Sequence, residues 1–242
     1  MATVRIGCSG FHYSDWKGTF YPADLPQKRW FHHYCAIFPA VELNVTFYRI
    51  PNQTTFDTWH KQTPKNFAFS LKGSRFITHV KRLVVQQKSL DQFFNGALRL
   101  KKKLKVVLWQ LPPDFQIDVK RLNAFISLLK KYPVKHTFEF RHKSWLTAEV
   151  LDICNRHNIC LCMADWPIFI SSLQITSDFV YLRRHGTGGR YDTDYSKMYL
   201  KKDAFRIEGY LNKGFDVFVF FNNDAHGYAP KNAQELTRLI HI

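Results

Sequence analysis

Apolar, β-branched and aromatic residues gather in eight short runs, at 4–8, 41–47, 67–71, 106–111, 137–140, 159–164, 179–182 and 217–221. Each has the length of a strand rather than of a helix. Between most of them apolar positions recur at helical spacing, at 27–38, 54–62, 89–101, 119–130, 145–157 and 197–212, and once more at 233–240. This alternation predicts parallel β/α units, and eight of them in 242 residues predict an α/β fold, a single (β/α)8 TIM-type barrel spanning residues 1–242. From Asp165 through Asp178, a stretch opening with Trp166 and Pro167, there is no helical period. An irregular loop is therefore expected to replace the helix between strands six and seven.

Barrel strands are covered on both faces and should read as almost wholly apolar, yet several of these carry polar residues at every second position. In VELNVTF, Glu42, Asn44 and Thr46 share one face while Val41, Leu43, Val45 and Phe47 share the other. The apolar set must meet the helices, so the polar set is expected inside the barrel. The same reasoning sends Thr137, Glu139 and Arg141 inward, with Ser70 and Lys72 on strand three and Tyr181, Arg183 and His185 on strand seven. Strands one, four, six and eight end in Ser9, Gln110, Asp165 and Asn222. Carboxylates (Glu42, Glu139, Asp165) thus face cations (Lys72, Arg141, Arg183), and buried charge is costly unless paired or used. Mutual ion pairs filling the lower barrel are one reading. A pocket at the C-terminal strand ends, lined by Lys72, Arg141, Asp165, Arg183, His185 and Asn222, is the other.

Charge adds a partner class. The chain has 35 Lys+Arg against 19 Asp+Glu, a formal charge of +16, which attracts anions and makes phosphate-bearing ligands and nucleic acid the first candidates. Two loops at the same strand ends suit an anion. HGTGGR offers three glycines and Arg190, and NNDAHGYAPKNA runs into a helix N-terminus. The basic run at 101–105 lies at the opposite rim and reads as a solvated helix end. Five cysteines, an odd number, sit mostly in apolar stretches, which points to a reducing compartment. With no apolar leader at MATVRIG and no run of membrane-spanning length, the expectation is a cytoplasmic protein without a membrane partner. Cys154, His157, Cys160 and Cys162 have zinc-like spacing, but two share one strand face, so core packing is expected and no metal. Nothing in the pattern names a cofactor.

The loop SGFHYSDWKGTFYP, 9–22, leaves the end of strand one with five aromatic rings. It is expected to form a pocket wall, with Tyr13 and Trp16 toward a ligand and Phe20 and Tyr21 anchoring the loop.

Ser9-Gly10-Phe11 with Tyr13, Trp16 and Phe20-Tyr21-Pro22, Glu42-Leu43-Asn44 with Thr46-Phe47-Tyr48-Arg49, and Gln110-Leu111-Pro112-Pro113 form an ordered set of motifs. Arg141-His142 with Ser144-Trp145, Asp165, Tyr181-Leu182-Arg183 with His185-Gly186, Tyr191, Tyr195, and Phe221-Asn222-Asn223 with Asn232-Ala233 continue it to the C-terminal region. The set resembles the YecE-like family, a domain of unknown function, over essentially the whole chain. Cys8 and Phe11 depart from that family's pattern, where a hydroxyl residue and a tryptophan are expected. The resemblance implies a TIM-type barrel, similar in fold to metal-dependent endonuclease and sugar-isomerase barrels, and supplies no established reaction.

Three functions stay open. An enzyme acting on a phosphate-bearing substrate, plausibly nucleic acid, would hold phosphate with Lys72, Arg141, Arg183 and Arg190 and use His185, Asp165 or Glu139 as acid or base. Ser9, Asn44, Gln110 and Asn222 would add polar contacts, and Tyr13, Trp16 and Tyr48 would stack on bases or sugar. A carbohydrate-active enzyme would pair Glu42 or Glu139 with Asp165. A non-catalytic nucleic-acid-binding module would need only the charge and the exposed rings.

Overall fold

The structure, a computed structural model, describes residues 1–165 and 173–241. In chain order the regular elements are β1 (Val4–Ser9), α1 (Trp30–Ile37), β2 (Ala40–Leu43), α2 (Val45–Tyr48), α3 (Gln53–Gln62), β3 (Ala68–Lys72), α4 (Gln87–Ala97), β4 (Leu104–Gln110) and α5 (Val119–Leu129). They continue with β5 (Lys135–Glu139), α6 (Ala148–Arg156), β6 (Cys160–Leu161), β7 (Met163–Ala164), β8 (Phe179–Arg184), α7 (Lys197–Asn212), β9 (Asp216–Phe221) and α8 (Tyr228–Leu239). Parallel strands alternating with helices make this an α/β fold of the TIM-barrel type, as the hydrophobic period predicts. By its contacts the chain divides into two compact units, Met1–Glu42 with Met163–Leu173 and Asp178–Ile242, and Leu43–Cys162 with Gln174–Ser177.

In the first unit the strands run parallel in the order β2, β1, β9, β8, β7. Gly7 pairs with Ala40, and an added Cβ there would stand 2.1 Å from the Ala40 carbonyl oxygen, so only glycine allows this approach. The Tyr34 hydroxyl, on α1, accepts from the Cys8 N–H at 2.7 Å and donates to the Ala40 carbonyl at 2.8 Å, tying β1 to the start of β2. Along β8 the side chains alternate as expected. Leu182 and Arg184 point one way, and Arg184 meets Asp203 on α7 through Nε–Oδ2 at 2.5 Å and Nη2–Oδ1 at 2.8 Å, with the Met163 carbonyl taking Nη1 at 3.2 Å. Both partners are buried, so an arginine on the helix-facing side of a strand is tolerated because the pair satisfies it.

In the second unit the order is β6, β5, β4, β3, again parallel. Trp109 of β4 is fully buried among Phe93, Phe94 and Phe125, and Gly73 lies flat against its ring: an added Cβ would stand 2.3 Å from a ring carbon. Helix starts follow side-chain chemistry. Asn52, Asp118 and Thr147 accept from backbone N–H groups in the first turns of α3, α5 and α6, as Ser196 does for α7 in the first unit.

Four expectations need correction. The run 41–47 is not one strand: β2 stops at Leu43 and the chain turns at Asn44 into α2. Asn44 and Thr46 therefore leave the strand face, and the Thr46 hydroxyl is spent on the carbonyls of Leu43 (3.1 Å) and Lys72 (2.7 Å). The run 159–164 is broken at Cys162, with β6 pairing with β5 and β7 with β8. The last helix begins at Tyr228, earlier than the period shows, because Gly227 in the left-handed region turns the chain into it. The basic run 101–105 is not wholly solvated. Lys103 is buried, and its ammonium donates to the carbonyls of His60 (2.6 Å) and Thr63 (2.8 Å), a cation placed on the C-terminal end of α3.

The expected loop between strands six and seven falls in part on 166–172, including Trp166 and Pro167, which lie outside the described residues. Residues 173–176 form neither helix nor strand. The five cysteines are all buried free thiols. Among the described residues no helix is long and apolar enough to cross a membrane.

Candidate active site

The strand ends of the first unit hold a continuous polar chain. Glu42, at the end of β2, is fully buried and takes hydrogen bonds from three sides. Ser9 Oγ donates to its Oε1 at 2.6 Å, Tyr181 to Oε2 at 2.6 Å, and the Arg183 fork to both oxygens through Nε (3.0 Å) and Nη2 (2.8 Å). Burial alone would push this carboxyl up. The Arg183 charge and the hydrogen bonds from Arg183, Ser9 and Tyr181 outweigh it and hold Glu42 below the usual carboxylate range, so it is ionised.

Arg183 extends the chain: its Nη1 lies 2.8 Å from His185 Nε2. A guanidinium can only donate, so that nitrogen must accept, which leaves the ring proton on Nδ1, facing Asp165 Oδ1 at 3.3 Å. Asp165 also accepts from the His185 backbone N–H at 2.7 Å and from the Tyr195 hydroxyl, whose oxygen in turn receives the Gly186 N–H at 2.6 Å. Burial pushes Asp165 up, but His185, the Arg184 charge and Tyr195 bring it below its ordinary value. The run Asp165–His185–Arg183–Glu42 is a rigid brace. Arg183 cannot give up its proton, so the brace carries no proton from end to end.

Asp224, at the end of the β9 strand direction, behaves in the opposite way. Burial raises its carboxyl to about 8, with the Glu42 charge adding and Tyr13 and Arg183 opposing. Its Oδ1 is sealed from solvent without a hydrogen-bond partner. The Tyr13 hydroxyl donates to the Ser9 carbonyl at 2.6 Å, and its interaction with Asp224 opposes, without cancelling, the rise that burial causes. Ser9 thus stands between two unlike carboxyls: its Oγ serves the lowered Glu42, and its carbonyl holds the Tyr13 phenol that interacts with the raised Asp224.

The expected site residues fall as follows. Ser9, Tyr13, Asp165, Arg183 and His185 come together in this chain of contacts. His185 has no solvent exposure, and its two ring nitrogens face Arg183 and Asp165, so in this chain of contacts it positions Arg183. Trp16, expected to face a ligand, is instead fully buried. Its Nε1 donates to the Asp224 carbonyl at 2.8 Å and its ring lies 4.9 Å from Tyr13, so it anchors the loop together with Tyr21. Asn222 is buried, and Arg190 is exposed beside the glycine turn. That turn is not an open anion cradle, because the N–H groups of Gly186, Thr187 and Gly189 are taken by Tyr195, Thr193 and Gly186.

In the second unit Glu139, the last residue of β5, and Arg141, two residues beyond it, form a buried ion pair with each other. Lys72 holds its ammonium 4.3 Å over the Phe47 ring, Gln110 is half-buried at the end of β4, Asn44 stands half-buried just before α2, and Tyr48 is 77% exposed.

The family model "Protein of unknown function DUF72" matches residues 5–242. The chain belongs to the DUF72 family. A curated DUF72 relative, "UPF0759 protein YunF" of Bacillus subtilis (strain 168), is 26% identical over 99% of this chain and 95% of its own length. A crystal structure of a DUF72 family protein from Thermotoga maritima MSB8 superposes with a TM-score of 0.83 at 28% identity, covering 98% of both chains. D-psicose 3-epimerase from Clostridium cellulolyticum H10, at 10% identity, 98% coverage of this chain and 100% of its own, and a TM-score of 0.56, shares the barrel fold alone.

One of this DUF72 chain's site residues, Asp224, escapes the sequence reading, because it lies three residues past the end of β9 in helical backbone, where strand alternation no longer applies. Tyr195 sits in a loop with no period, and only the family motifs single it out.

Proposed function

We propose that this protein is an acid–base hydrolase for a phosphate-bearing substrate, with Asp224 as the proton donor. What supports it is the contrast between Asp224, whose burial raises its carboxyl to about 8, and the ionised Glu42, whose partner Ser9 also takes the Tyr13 hydroxyl on its carbonyl. Two titratable carboxyls whose environments push their pKa values apart are the arrangement that general acid–base catalysis at neutral pH requires. Asp224 gives its proton to the leaving oxygen, water adds to the atom that oxygen leaves, and the proton released by the water restores the acid. The formal charge of +16 and the exposed Arg190 favour a substrate carrying phosphate.

A second reading, hydrolysis at a sugar carbon, is favoured by a different observation. Arg183 and Arg184 are committed to Glu42 and Asp203, so the reacting centre itself suits a neutral group.

The test is release of 4-nitrophenol from bis(4-nitrophenyl) phosphate and from a panel of 4-nitrophenyl glycosides by the full chain, across about pH 5 to 9. The expected rate falls as Asp224 ionises above about pH 8, and Asp224→Asn loses roughly 100- to 10,000-fold. Turnover of glycosides alone selects the second reading. No turnover on either class, or a full rate in Asp224→Asn, overturns the proposal.

A further inference from the structure

The loops that follow β2 and β3 in the second unit leave aromatic and cationic side chains in the open. Tyr48, the last residue of α2, is 77% exposed, and Phe76, the first of a π-helical turn Phe76–Val80, is 47% exposed. Apolar rings at such exposure lose the stabilisation of burial, so their positions call for a partner. Turns of this wide, i to i+5 kind are rare and gather at functional sites.

Ring contacts link Tyr48, through the buried Phe47, to the turn that carries Phe76. Tyr48 stands edge-on to Phe47 at 5.0 Å, Phe47 edge-on to His79 at 4.9 Å, and His79 belongs to the same π-helical turn as Phe76. Cations are interleaved with them. Lys72 reaches over Phe47 at 4.3 Å, Lys81 lies 5.6 Å from the centre of Phe76, and Arg49 and Arg75 are exposed next to Tyr48 and Phe76. The local field is positive. Burial and then the charges of Lys72, Arg75 and Arg141 lower His79 to about 4, against Asp114, which acts in the other direction and is itself ion-paired to Arg82.

We infer that this surface binds single-stranded nucleic acid, with Tyr48 and Phe76 stacking on bases and Arg49, Arg75 and Lys81 tracking the phosphates. A duplex hides its base faces and a polyphosphate has none, so neither uses the rings. A flexible single strand presents both chemistries, base faces and phosphates, along one chain. The inference goes beyond the acid–base reading of the first unit and stands without it.

Fluorescence anisotropy of a labelled oligothymidylate and the matching oligouridylate with the full chain tests it, with Tyr48→Ala, Phe76→Ala and Arg75→Glu/Lys81→Glu as variants. Tyr48 and Phe76 are exposed, so their loss leaves the fold intact, which circular dichroism checks. Each ring variant is expected to weaken binding roughly 5- to 150-fold at one salt concentration without changing the salt slope. The charge-reversal variant should weaken binding and flatten that slope. Inorganic polyphosphate should compete poorly. Ring variants that bind like the wild type, equal affinity for duplex and single strand, or binding to anionic phospholipid vesicles in place of oligonucleotide would each overturn it.

Discussion

Asp224→Asn probes the protonation state at the centre of the proposed site without requiring any substrate. In the folded chain the carboxyl titrates at about 8, against an ordinary value of 3.8. The native state therefore holds a proton that the unfolded chain has released throughout the interval between those values. Native stability is unaffected by this group below about pH 4, falls as the pH rises through the interval, and levels off above about pH 8. Each pH unit inside it costs about 1.4 kcal/mol, so between about pH 5.5 and 7.5 the group removes about 2.7 kcal/mol.

An asparagine has nearly the same shape and does not titrate. The stability of Asp224→Asn relative to wild type should therefore rise by about that amount over the same two units. Urea unfolding followed by the fluorescence of the chain's six tryptophans, at several pH values, measures the difference directly. Glu42 and Asp165 do not confuse the result, because their lowered values confine their effect to more acid solution. Parallel stability curves for the two proteins would refute the neutral acid. A variant that loses ground as pH rises would refute it too, because Asp224 would then be a stabilising carboxylate.

Arg183→Met leaves Glu42 buried without its charge partner and should cost roughly 3–5 kcal/mol in urea unfolding. Glu42→Gln together with Arg183→Met should recover most of that loss, since both charges are then gone. The pairs also set an acid limit: Glu42 and Asp165, both lowered, contribute stability above the ordinary carboxylate range that is lost as pH falls through their folded values, which an acid titration of the near-ultraviolet circular dichroism reads. Gly7→Ala drives a methyl into the Ala40 carbonyl and should lower stability by about 1–3 kcal/mol or more, visible as a depressed melting temperature.

Structurally, the brace explains how a barrel tolerates so much charge. Arg183 and Arg184 are neighbours in sequence and point to opposite faces of β8, one to Glu42 and the brace, the other to Asp203 on α7. Each is fully matched by a carboxylate, so the unit keeps two buried guanidinium groups without an orphaned charge. Asp224 is the exception. With no cation paired to it, burial is answered by keeping the proton.

Alternation along single strands was enough to place Tyr181 and Arg183 on one face of β8, with His185 just past its end, whereas Arg141 meets Glu139 from two residues beyond β5. Side-chain period is a local property of extended backbone, and the residues two apart carry it themselves. The same rule failed at VELNVTF, where a helical turn after Leu43 ended the extended backbone and removed Asn44 and Thr46 from the face. It was also silent about partners. Glu42 meets Arg183 across 141 positions, and Tyr195 meets Asp165 across 30, because folding and not spacing brings them together. The protonation of Asp224 lies furthest from the sequence. It depends on how much water every neighbouring segment excludes and on which charges stand near, quantities that exist only once the chain is packed.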